Sequence, residues 1–178
     1  TAHLHRRKHG HLVRGCSRDR KGVVAAVAHK KEHMHCRRGV GGLRLDDQPL
    51  DQKRRTGSAG ISIISREEAV TRYRVAVDAK NEIDGDFVIM AQCYARNAVN
   101  GGMAELLKRL RLYESDGGAD WVQFESPHSV AEIKRARKVV KGPFSAMKGQ
   151  LPRALTLAEH KALGLNAAWY TFLPDQVL

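Results

Sequence analysis

Over residues 43–178, apolar positions fall into two alternating patterns. Short runs of strand length are followed by longer stretches in which apolar residues recur every three to four positions. Leu43-Arg44-Leu45 reads as a strand entering the polar turn Asp46-Asp47-Gln48-Pro49, and the basic, Gly/Ser-rich stretch from Gln52 to Gly60 reads as a loop. Ser65-Arg66-Glu67-Glu68 has the form of a capping box, in which the serine oxygen takes a free amide and the glutamate reaches back. It predicts a helix to about Lys80, with Ala69, Val70, Tyr73 and Val77 on its apolar side. Phe87 to Ala91 is a continuous apolar run, suited to a parallel strand buried on both faces. Asn100-Gly101-Gly102 breaks the chain, Met103 to Tyr113 is helical, and Gly117-Gly118 ends that helix.

Further strands are predicted at Trp121–Glu125, Pro143–Met147 and Ala167–Phe172, with capping boxes at Ser129/Glu132 and Thr156/Glu159 between them. The expectation is five strands alternating with four helices, hence an α/β fold with a parallel sheet and helices outside it. Sites in such sheets lie at the carboxyl ends of the strands. The residues there are Asp46, Asp47, Gln48, Gln92, Cys93, Tyr94, Glu125, Ser126, Lys148 and Thr171. Gln92 and Tyr94 are read as facing opposite sides of their strand, so that at most one faces a pocket. Cys93 is read as a small core residue.

Residues 1–42 do not continue this pattern, so the chain divides into a basic segment (1–42) and a β/α domain (43–178). The net charge of +12 is concentrated accordingly: residues 1–44 carry +10, residues 45–60 are neutral and residues 61–178 carry +2. The β/α part is thus nearly neutral, and the charge is a property of the first segment. That segment also holds seven of the nine histidines and two of the three cysteines. Cys16, Cys36, His33 and His35 have zinc-ligating atoms without a zinc-site spacing. A basic arm could bind nucleic acid through phosphates alone. The leading reading is that residues 1–42 are disordered or not native-like, a bias that out-of-frame reading of a GC-rich gene can produce. The odd cysteine count suggests a reducing compartment, read as the cytoplasm. No apolar run approaches the roughly 20 residues of a membrane span, and the N-terminus lacks the apolar core of a secretory signal.

At the strand ends the chain resembles the isocitrate lyase / phosphoenolpyruvate mutase superfamily over residues 43–178. The likeness rests on Ser65-Arg66-Glu67-Glu68-Ala69-Val70, Ala76-Val77-Asp78-Ala79, Asp86-Phe87-Val88-Ile89-Met90-Ala91 and Val122-Gln123-Phe124-Glu125. Leu45-Asp46-Asp47-Gln48 resembles the family's Glu-Asp-Gln segment, and Arg55-Thr56-Gly57-Ser58 its Lys-Arg-Cys-Gly-His loop. The resemblance implies a TIM-type (β/α)8 barrel, usually oligomeric, that binds Mg2+ and works on small oxo- and hydroxy-acids through a pyruvate-like enolate. It implies Asp46 as a metal residue, Thr56 and Glu125 in catalysis, and Arg55, Gly57 and Gln92 against substrate.

The departures from the family are equally specific. Thr56 stands at the catalytic cysteine, Ser58 at the loop histidine and Gln92 at a substrate-binding arginine. The family's metal-bearing acids on early strands have no counterpart in residues 1–42. Either Lys53 or Arg54 could match the loop lysine. A full barrel takes about 250 residues, so 178 residues suggest an incomplete one. The expected activity is a Mg2+-dependent carbon–carbon lyase or decarboxylase on a small dicarboxylate. The competing reading is an inactive fragment with a nucleic-acid-binding arm.

Overall fold

The computed structural model describes residues 41–147 and 149–169. The readings of the histidine-rich arm, Lys148 and Thr171 therefore lie outside the described residues. Within them the order is β1 (Gly42–Asp46), α1 (Arg66–Ile83), β2 (Val88–Cys93), α2 (Met103–Ser115), β3 (Trp121–Phe124), α3 (Val130–Val139), β4 (Phe144–Ala146) and α4 (Leu157–Ala162). The four strands form one parallel sheet in sequence order, β1-β2-β3-β4. A doubly wound sheet reverses its strand order at a switch point. Unbroken sequential order with intervening helices is instead an arc of a (β/α)8 barrel, here four consecutive strands among the described residues.

Strand alternation gives the arc two chemically different faces. Leu43, Ile89, Ala91, Cys93, Val122, Phe124, Phe144 and Ala146 are buried apolar residues that join the two core clusters packed with the helices. The intervening positions Asp46, Gln92, Gln123 and Ser145 are register partners in turn across all four strands. All four are buried. At the carboxyl ends of its strands the inner face of the arc is therefore polar, and it points where a barrel places its lumen.

Three sequence expectations are corrected. The predicted fifth strand is represented by a single parallel bridge, Ser145 to Ala167; Ala168 and Trp169 are not in a strand, and the rest of the segment is outside the described residues. All three capping side chains accept an amide, at 3.1 Å (Ser65 from Glu68), 3.2 Å (Ser129 from Glu132) and 3.2 Å (Thr156 from Glu159). Only the Thr156/Glu159 pair is reciprocal. Glu132 is instead drawn to Arg96 and the His128 N–H, and Glu68 to Arg72, because a guanidinium attracts a carboxylate more strongly than one amide does. Finally, α1 and α2 run past their predicted ends, to Ile83 and Ser115.

The α2 terminus shows why glycine follows it. Gly118 has φ +67°, and a Cβ on Gly117 would lie 2.7 Å from the Tyr113 carbonyl oxygen. Arg66 grips Glu105 at 2.9 and 2.6 Å, joining the first turns of α1 and α2, and Arg109 adds a third contact at 2.7 Å. The Arg66 and Arg109 contacts hold the Glu105 carboxyl down at about 2. Because this folded value lies below the ordinary carboxylate range, the stabilisation is complete above about pH 4.5 and is lost as pH falls toward 2. An acid titration of the folding midpoint should show that loss, and Glu105→Gln should flatten it. An unchanged acid limb in the variant would show that Glu105 contributes nothing to acid lability.

Candidate active site

Asp46 and Asp47 follow each other at the end of β1 but have different fates. Asp47 is fully buried toward the helices. It accepts from the Tyr94 N–H (2.9 Å), the Tyr113 hydroxyl (2.7 Å) and the Cys93 thiol (3.3 Å), with the Arg109 guanidinium at 3.6 Å. Burial pushes its carboxyl above the ordinary range, and the Tyr94 amide, Tyr113 and Arg109 oppose that rise. Asp47 ties the β1 end to β2 and α2. Burial, reinforced by the Asp47 charge, also pushes the Cys93 thiol well up, as suits an inert core residue.

Asp46 lies on the inner face. Its carboxylate meets the Lys53 ammonium at 2.6 Å and accepts the Gln48 N–H at 3.3 Å. The buried side chain of Gln48 grips the next loop, donating to the Arg54 carbonyl (3.1 Å) and accepting the Arg54 N–H (2.9 Å). This holds the backbone at Arg54 and puts Lys53 on Asp46. Of the two cations the sequence left open, Lys53 is therefore the one at the strand ends.

Glu125 follows β3 and is 1% exposed. Its Oε2 accepts from the Gln92 amide at 2.5 Å and the Gln123 amide at 3.1 Å, and Oε1 accepts from the Ser126 hydroxyl at 3.4 Å. All three donors are neutral. Ser126 has φ +57°, a left-handed conformation uncommon for a non-glycine residue and one that concentrates at functional sites. Beside Glu125 the Gln123 Oε1 is buried without a hydrogen-bond partner, the single such side-chain atom among the described residues.

Gln92 and Tyr94 share a face, contrary to the sequence reading, since residues two apart on a strand point the same way. The Gln92 amide donates to the Tyr94 hydroxyl at 3.2 Å as well as to Glu125, so both its N–H bonds are committed. The Tyr94 hydroxyl in turn meets Thr56 Oγ1 at 2.9 Å. One continuous chain thus runs Thr56–Tyr94–Gln92–Glu125–Gln123 and links the two expected catalytic positions. Burial pushes the Tyr94 phenol up, the Thr56 contact lowers it, and the charges of Glu125 and Asp46 raise it further.

Of the expected substrate residues, Gln92 is in this cluster. Arg55 and Gly57 are exposed on the loop above it. Gly57 has φ +83° with open space around it, so its role is to turn the loop. Tyr94, Gln123 and Lys53 are the residues that sequence reasoning missed or left open. The spacing of Gln123 to Glu125 and of Gln92 to Tyr94, two residues in each case, was the signal that placed them together.

The phosphoenolpyruvate phosphomutase family model matches residues 22–171, starting upstream of the boundary at residue 43. The 2,3-dimethylmalate lyase of Eubacterium barkeri is 36% identical over 135 residues, which is 74% of this chain and 44% of that protein. The 2-methylisocitrate lyase of Escherichia coli K12 is 36% identical over 108 residues, or 61% of this chain and 34% of that protein. Oxaloacetate acetylhydrolase in complex with the inhibitor 3,3-difluorooxalacetate matches with a TM-score of 0.71 and 27% identity, over 89% of this chain and 51% of that one. A 2,3-dimethylmalate lyase structure matches in fold, with a TM-score of 0.69 at 24% identity. The chain spans about half or less of the length of these relatives. No described helix is long and apolar enough to cross a membrane. With its sequential parallel arc and its polar inner face, the chain belongs to the phosphoenolpyruvate phosphomutase family, within the isocitrate lyase / PEP mutase superfamily.

Proposed function

We propose that this chain carries part of a Mg2+-dependent site for breaking or decarboxylating a small oxo- or hydroxy-dicarboxylate through an enolate. The observation that carries the reading is Glu125, a buried carboxylate whose described hydrogen-bond donors are all neutral. A buried anion without a fixed cation is costly unless one arrives with the ligand. The donor chemistry fits Mg2+, which takes hard oxygens and keeps several waters while binding one or two carboxylates. Asp46 and Glu125 would hold it, and the unpartnered Gln123 Oε1 is a further hard oxygen on the same inner face. Among the described residues no group of three or more acidic, His or Cys side chains is placed to hold a metal ion, so waters would complete the shell. The ion, when bound, acts as a Lewis acid toward an enolate oxygen.

The chain's own residues have separate tasks. Gln92 and Gln123 orient Glu125 by aiming two amides at one oxygen. Lys53 steadies Asp46 through one of its carboxylate oxygens. The loop carrying Arg55, Thr56 and Gly57 covers the strand ends and excludes water, pinned through Gln48 and Tyr94. Arg55, exposed on this lid, would supply a cation to a substrate carboxylate. Thr56 in place of cysteine argues against cleavage that leans on a thiol acid and toward decarboxylation or a related enolate-forming step. Homo-oligomerisation, as the resemblance implies, belongs to the same proposal.

Calorimetry with Mg2+ and oxalate, an enolate mimic, tests the reading. Oxalate should bind only with Mg2+ present and should raise the melting midpoint, because a ligand of the native state alone stabilises it. Absence of Mg2+-dependent binding, together with no turnover of oxaloacetate or 2-methylisocitrate, would overturn it.

A further inference from the structure

Thr56 leaves the proposed site without a thiol, and an alcohol is a poor proton donor near neutral pH. The structure supplies a stronger acid 2.9 Å from the Thr56 hydroxyl. We propose that Tyr94 is the proton donor of this site, delivering its phenolic proton to the enolate carbon in place of the missing cysteine. The inference rests on the enolate reading above and goes beyond it by naming the acid.

Three observations converge on Tyr94. Its hydroxyl lies in the cluster, in contact with Gln92 and Thr56 and close enough to Glu125 and Asp46 for both charges to act on it. Its oxygen is placed to accept from two donors. The Gln92 amide already donates to it at 3.2 Å, and Thr56 Oγ1 at 2.9 Å can do so. With both donating, the phenolic proton is free for a ligand, and the same two bonds stabilise the phenolate once the proton has left. Finally, a phenol has an ordinary pKa of about 10, far below that of an alcohol. Burial raises this value in Tyr94, which keeps the proton in place until a strongly basic carbanion appears.

The step balances without a redox partner. When the carbon–carbon bond breaks, its electron pair passes into the enolate. The Tyr94 O–H bond then breaks, a C–H bond forms at the enolate carbon, and the phenolate takes a proton from water. In the reverse direction the phenolate removes a proton from carbon. A folded site should therefore exchange the methyl protons of pyruvate for deuterium.

The test follows loss of the pyruvate methyl signal by proton NMR in D2O with Mg2+, for the full chain, Tyr94→Phe and Thr56→Val. A general acid contributes roughly 10²–10⁴-fold, so Tyr94→Phe should slow exchange about 100-fold or more while still binding oxalate. Thr56→Val removes the same loop contact but keeps the phenol, and its loss should be at least about tenfold smaller. Equal losses in both variants would mean that Tyr94 only pins the loop, and would overturn the proposal. Replacing all tyrosines with 3-fluorotyrosine keeps every hydroxyl but makes it more acidic. The alkaline limb of the exchange profile should then move to lower pH, and an unmoved limb would also overturn it. Oxalate binding by the unsubstituted chain separates the two failures. Binding with unaltered exchange in Tyr94→Phe removes Tyr94 alone, whereas no Mg2+-dependent binding removes the enolate reading and this proposal together.

Discussion

Arg109→Ala is expected to destabilise the chain by about 3–5 kcal/mol, the usual result of removing one partner from a buried charged network. Arg109 is 4% exposed and its guanidinium serves four groups. It donates to the Ile64 carbonyl at 2.6 Å, the Tyr113 hydroxyl at 3.0 Å and Glu105 at 2.7 Å, and lies 3.6 Å from Asp47. Without it, Asp47 stays buried with only neutral donors, and the Ile64 carbonyl loses its guanidinium donor. Burial already holds the Asp47 carboxyl above its ordinary value, and Arg109 is one of the groups opposing that. Its removal therefore raises the value further. A carboxyl with a raised folded pKa binds a proton more readily in the native state, so its contribution to stability falls as pH rises through the window above 3.8. The deficit of the variant should be larger at pH 8 than at pH 5. Urea unfolding at both pH values checks this. A loss below about 1 kcal/mol would show that the network is not what holds the β1 end in place.

Glu125→Gln should separate stability from function. The amide oxygen of the variant can accept from Gln92 and Gln123 much as Oε2 does now, while its amino group faces Ser126. The shape and most hydrogen bonds survive, and a buried charge with neutral donors is removed, so the melting midpoint should hold or rise. Mg2+-dependent oxalate binding should weaken by about tenfold or more, and any enolate-forming turnover by about 100-fold or more. A variant that binds Mg2+ and oxalate as tightly as the parent chain would make Glu125 a structural carboxylate.

Much of the local order could be read directly from the chain. Ser65, Ser129 and Thr156 cap their helices because a hydroxyl beside a free amide needs no distant partner. The strands β1 to β4 follow from apolar runs between turn residues. The polar inner face was equally available, because Gln92, Tyr94, Gln123 and Glu125 keep a two-residue spacing. Reading Gln92 and Tyr94 as opposed misapplied that spacing.

By itself, then, the sequence determined the alternation of strand and helix, the caps, the acids at the strand ends and the family. Those features depend on neighbours within a few residues or on matching runs. Tertiary structure decided what each strand-end residue does. Asp47 became a core tie because Tyr113, 66 residues away, reaches it across α2. Asp46, set on the inner face by strand alternation, met its cation only because Gln48 folds the loop back and brings Lys53 onto it. Thr56 was joined to Glu125 only when sheet register brought Tyr94 and Gln92 between them. Hydrogen bonds are short and directional, so partners far apart in the chain are selected by register and packing.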